Sequence, residues 1–132
     1  VNEYCASNSY ESTNMGRMLL APADNGDNLT SVSDCAAFLR KVYKGEMPHA
    51  EEMLGFLKNQ QRTHKIPAGL PEGVESANKT GELDTVENDA AIVFADTPYI
   101  LCIMSENLSD VGAAQSNIAG ISSDMYQLIE EK

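Results

Sequence analysis

Basic residues are scarce in this chain: its 132 residues carry 9 Lys and Arg against 20 Asp and Glu, for a net charge of -11. A balance of that sign repels phosphate backbones and anionic lipid at long range, so nucleic acid and acidic membrane surfaces are excluded as partners. Long apolar runs are also missing. The longest, Ala90 to Ala95 and Tyr99 to Met104, fall far short of the ~20 residues that a membrane-spanning helix needs. Cysteine is sparse, and Cys5, Cys35 and Cys102 are too few and too widely spaced for a disulfide framework or a zinc-ligand pattern. They read as buried free thiols, and no cofactor or metal is expected from them. The two histidines, His49 and His64, read as surface residues rather than ligands.

What is present describes a folded chain. An apolar fraction of 42% with interspersed charge belongs to globular proteins rather than to acidic disordered tails. Residues 1–7 read as the tail of a helix. Residues 8–29 form a loop rich in Asn, Ser, Gly and Asp, in which Met15, Met18, Leu19 and Leu20 are expected to pin the backbone to a core. Val32, Cys35, Ala36, Leu39, Val42 and Tyr43 then recur at helical spacing, with Thr30 or Ser31 as N-cap and Gly45 as the stop. A second helix is expected from about His49 to Gln60, with Met53, Leu54 and Leu57 inward.

Pro67, Gly69, Pro71 and Gly73 mark a turn-rich linker, after which the pattern turns extended. Strands are expected at 74–80, 90–95 and 99–104, the last covered on both faces. Residues 110–132 place Val111, Ala114, Ile118, Ile121, Met125, Leu128 and Ile129 on one helical stripe. The fold class expected is α+β, three antiparallel strands with helices.

Lys79-Thr80-Gly81, set within the stretch from Ile66 to Ser105, resembles the Lys-Thr-Gly strand of class A β-lactamases and their class-A-like relatives in the penicillin-recognising serine hydrolases. The resemblance implies that residues 1–65 correspond to the end of an all-helical region with an Ω-loop-like segment. Residues 66–132 would correspond to the C-terminal strands and closing helix. It further implies that Lys79 is a fixed catalytic charge beside the nucleophile and that Thr80 binds the substrate carboxylate. Gly81 would leave room for the substrate, and the Glu82 N–H would serve as one of two oxyanion donors.

The family's acylated serine lies in a Ser-x-x-Lys motif, followed by a Ser-Asp-Asn loop, and neither has a counterpart here. Ser76-Ala77-Asn78-Lys79 fits the first formally, but in an extended segment residues three apart point to opposite faces. Ser12-Thr13-Asn14 imitates Ser-x-Asn within the Ω-loop-like region, where Glu11 does not match the family's glutamate spacing. The function implied is therefore the C-terminal portion of a serine hydrolase acting on β-lactams or D-Ala-D-Ala-type peptides, with the acyl-serine outside this sequence. The alternatives are a transpeptidase-like fragment and a non-catalytic binding or assembly module.

The resemblance also implies an extracytoplasmic location in a bacterium. It leaves strand 99–104 with an open edge, available to the remaining portion of the same enzyme or to a second copy. The carboxylates Glu72, Glu75, Glu82, Asp84, Glu87 and Asp89 read as a solvated face.

Overall fold

Ser31 holds extended backbone while its hydroxyl accepts from the Asp34 N–H, which starts α2 (Val32–Lys44), and Gly45 ends it in the left-handed region at φ 68°. A computed structural model describes residues 1–24 and 26–131. Ahead of α2 lies α1 (Asn2–Ser7); after it come α3 (Ala50–Lys58), a 3-10 turn (Ile66–Gly69), β1 (Glu75–Leu83), β2 (Val86–Phe94), β3 (Tyr99–Ser105) and α4 (Val111–Glu130). The strands form one antiparallel sheet in the order β1-β2-β3. No helix among the described residues is long and apolar enough to cross a membrane.

Alternation along the strands builds two cores. One face carries Ala77, Ala90 and Ile92, which pack with Leu39 of α2 and with Leu54 and Leu57 of α3. The other carries Ala91 and Val93, packed with Ile66 and with Ile118 of α4. The sheet is thus a middle layer between two helical layers, the α+β class expected from the sequence.

Three expectations need correction. β1 runs through the Lys-Thr-Gly triplet to Leu83, because Thr80, Gly81, Glu82 and Leu83 pair with Asp89, Asn88, Glu87 and Val86 around a tight turn at Asp84-Thr85. Cross-strand pairing there outweighs the low strand propensity of the acidic residues. β3 is half-buried along its whole length rather than covered on both faces, since its outer edge has no strand partner among the described residues. Met18, Leu19 and Leu20 are 68%, 86% and 91% exposed and anchor nothing.

Polar contacts close that loop instead. Arg17 Nε donates to Asp27 Oδ1 at 2.7 Å and its Nη1 to the Ala21 carbonyl at 2.8 Å. Asn14 and Leu29 exchange backbone hydrogen bonds of 2.9 Å. Asp34 Oδ2 accepts from the Ser12 N–H at 2.9 Å and from Thr13 Oγ1 at 2.7 Å.

Candidate active site

All four residues singled out by the sequence lie in β1, but the pleat divides them. Lys79 pairs with Ala90, which pairs in turn with Cys102, so Lys79 belongs to the α2 and α3 side of the sheet. There it lines a cavity of about 450 Å³ whose walls include Tyr10, Thr13, Cys35, Phe38 and Leu57. Its ammonium donates to the Thr80 carbonyl. Gly81 shares that side; a methyl group at position 81 would meet Asn88 at 3.5 Å, an ordinary contact. Thr80 and Glu82 point to the other side, where Thr80 is 7% exposed. Ser76 and Lys79, three apart in the same strand, likewise take opposite faces.

Behind the triplet lies a polar cluster whose carboxylates read as a solvated face in the sequence. Glu87 and Asp89 are buried, as is Lys65, which is 0% exposed. Lys65 Nζ donates to Glu87 Oε2 at 2.9 Å and to Glu82 Oε1 at 3.1 Å. Gln115 of α4 reaches Glu87 Oε1 at 2.9 Å. Asp89 accepts from Asn78 Nδ2 and from the Ile66 N–H, each at 3.0 Å. Arg62 and His64 also contact Glu82. His64, Glu82 and Glu87 bring ligand atoms within 4.8 Å of one another, but the Lys65 ammonium and the Arg62 guanidinium together already balance the two carboxylates, and a further cation would be repelled.

Two carboxylates in this cluster titrate away from their ordinary values, in opposite directions. Burial pushes Asp89 above 3.8, only partly offset by its hydrogen bonds and by Lys65. Burial also pushes Glu82 up, but the hydrogen bond from Lys65 and the charges of Lys65, Arg62 and His64 outweigh it, and Glu82 ends below 4.5. Asp89 therefore contributes stability that is complete below pH 3.8 and is lost as pH rises through its raised folded value. The Glu82 contribution is present above pH 4.5 and is lost as pH falls through its depressed folded value. Asp89→Asn is expected to gain stability relative to the unaltered protein as pH rises above 3.8. Urea unfolding at several pH values measures this, and a pH-independent difference would contradict it.

With the fold and the triplet's surroundings in place, comparison with known proteins decides the family. Residues 1–129 match the beta-lactamase enzyme family. The chain belongs to that family. No curated protein matches it. The structure of PBP-A is 26% identical, with 99% of this chain and 51% of that chain covered and a TM-score of 0.85. The β-lactamase from Sphaerobacter thermophilus DSM 20745 is also 26% identical, at 99% and 53% coverage and a TM-score of 0.88. A mutant of PBP-A solved as an acyl-enzyme complex with penicillin G is similar at 26% identity, 99% and 51% coverage, and a TM-score of 0.87. The chain thus spans about half the length of the solved β-lactamase-family proteins it resembles.

Lys79 lies in the strand expected for it from the sequence, but the groups around it carry no local signal. Thr13 and Asp34 line the same cavity as Lys79, from a loop and from the first turn of α2, which no local pattern connects. No local pattern marks Lys65 as buried, yet it is the most enclosed cation in the cluster behind the triplet. A buried charge leaves no periodic signal when its partners come from two distant strands, β1 and β2.

Proposed function

We propose that this chain is the substrate-facing portion of a β-lactamase-family serine hydrolase, acting on β-lactams or D-Ala-D-Ala-type peptides by an acyl-serine mechanism whose nucleophile lies outside these 132 residues. The observation that carries the reading is Lys79, exposed within the Lys-Thr-Gly strand and facing a cavity, in a chain of this family. Lys79 supplies a fixed positive charge that favours the serine's deprotonation and attracts a substrate carboxylate. Thr80, on the opposite face of the strand and 7% exposed, would have to turn toward the cavity to offer that carboxylate its hydroxyl, and the Glu82 N–H acts as an oxyanion donor. Packing in this chain does not demand glycine at position 81, which supports a requirement set by a substrate lying along the strand.

The remaining portion of the enzyme, or a second copy of this chain, is proposed to pair with the open edge of β3. The Tyr10 hydroxyl, buried beside the cavity without a partner among the described residues, is the sort of group that a completing segment satisfies. The location proposed is extracytoplasmic.

The test is a denaturing mass spectrum of the protein isolated from its own cells with any accompanying polypeptide, after exposure to penicillin G. A penicilloyl adduct on the accompanying polypeptide, and none within this chain, is expected. An adduct on Ser76 or any other serine of this chain overturns the assignment, and no adduct at all leaves a non-catalytic binding module. Gly81→Ala is expected to keep the unfolding midpoint while lowering the acylation rate by about 10²-fold.

A further inference from the structure

Cys35 and Cys102 come from opposite ends of the sequence region that builds one core. Cys35 sits in the first turn of α2 with Leu39 one turn later on the same face, and Leu39 is 3% exposed at the centre of that core. Cys102 occupies β3 directly across from Ala90, on the side of the sheet that α2 covers. Both residues pack against one cluster of buried side chains formed by Leu39, Ala77, Ala90 and Ile92. The small side chains of Ala77 and Ala90 leave α2 close to the sheet, and α2 packs directly on β3. Both cysteines are free and half-buried.

We propose that Cys35 and Cys102 are a dithiol that closes to an intramolecular disulfide by exchange with a small disulfide of the glutathione class, tying α2 to β3. The entry point is Cys35, because it lines the open cavity and lies near Thr30, its sulfur 3.7 Å from the Thr30 hydroxyl. Its thiolate attacks one sulfur of oxidised glutathione, forming a mixed disulfide and releasing one glutathione thiolate, which takes up a proton. The Cys102 thiol then loses its proton and attacks the Cys35 sulfur, and the second glutathione leaves. The two protein thiols are oxidised and one glutathione disulfide is reduced to two thiols.

The order of attack follows from the environments. Burial, the neighbouring Cys35 and Asp89 push the Cys102 thiol up to about 11, so it stays protonated at neutral pH and reacts second. The tie would fix the helix whose Asp34 holds Ser12 and Thr13, one wall of the cavity that Lys79 faces.

The experiment equilibrates the whole chain with glutathione buffers of increasing oxidised fraction, quenches with iodoacetamide and maps tryptic peptides without reduction. Cleavage after Lys and Arg places Cys5 in residues 1–17, Cys35 in 18–40 and Cys102 in 80–132, so each linkage is distinguishable. The expected result is a product lighter by two hydrogens, with peptides 18–40 and 80–132 joined and Cys5 alkylated. Cys102→Ser is expected to stop at a single glutathione adduct on Cys35, and Cys35→Ser to give neither adduct nor cross-link at Cys102. A linkage involving Cys5, a stable glutathione adduct on Cys35 of the unaltered chain, or three alkylated thiols throughout would each overturn the proposal.

Discussion

Lys65→Met lowers the unfolding free energy by about 3–5 kcal/mol, because it strips the counter-charge from Glu87 and Glu82 while leaving both carboxylates in place. Glu87 is only 3% exposed, so water cannot replace the lost ammonium without opening the packing between β2 and α4. For a chain of this size the loss corresponds to a fall in Tm of roughly 10–20 °C. The partner of the lost charge is identified by a second substitution. Glu87→Gln is expected to cost much less in the Lys65→Met background than in the unaltered chain, since the two groups are 2.9 Å apart and share one network. Urea unfolding of the four proteins measures the coupling. Equal costs in the two backgrounds would show that Lys65 stabilises through packing of its stem rather than through its charge.

Gly69→Ala is the second large effect, and it comes from shape rather than charge. The 3-10 turn carrying Gly69 lies flush against α4, where a Cβ at this position would fall on the Ala119 carbonyl oxygen and within 2.8 Å of the Ser122 Cβ and 2.9 Å of the Ser123 nitrogen. Most of these atoms belong to helix backbone and cannot rotate aside, so the turn must lift. Lifting it breaks the 2.8 Å hydrogen bond from Ser122 Oγ to the Ile66 carbonyl and draws Ile66 out of the second core. The expected cost exceeds the ~1–3 kcal/mol of ordinary overpacking. Gly55→Ala is the control, since nothing lies within 4 Å of a Cβ there and the position is inside α3. That substitution is expected to stabilise by about 0.5–1 kcal/mol. Similar destabilisation by both would show that the contact with α4 is not the cause.

The two predictions act on neighbouring points of one segment. Residues 65–69 pack on the α4 face of the sheet, where Lys65 and Ile66 are held by groups from β1, β2 and α4 and Gly69 lies against α4. The segment backs the strand that carries Lys79, so its loss would move the triplet without touching it. Glu82 shows the connection most directly. Its side chain is held by Lys65, Arg62 and His64, while its backbone continues the strand proposed to face substrate.

Local chemistry was enough to place most elements of this protein. Ser31 and Gly45 bound α2 as capping rules require, the spacing of Cys35, Leu39 and Val42 gave its buried face, and the apolar runs near residues 92 and 101 marked two strands. The Lys-Thr-Gly triplet and its flanks pointed to the family that the comparisons then showed. Such signals are readable because caps and periodicity act within a few residues of chain.

Tertiary structure alone decided the rest. Met18, Leu19 and Leu20 are apolar but exposed, because Arg17 with Asp27 and Asn14 with Leu29 close their loop without them. Glu87 and Asp89 are acidic but buried, because Lys65, Asn78 and the Ile66 amide meet them from distant positions. The pleat of β1 set Lys79 and Thr80 on opposite sides of the sheet. Burial and charge pairing depend on which surfaces meet, and residues separated by tens of positions bring those surfaces together only when the chain has folded.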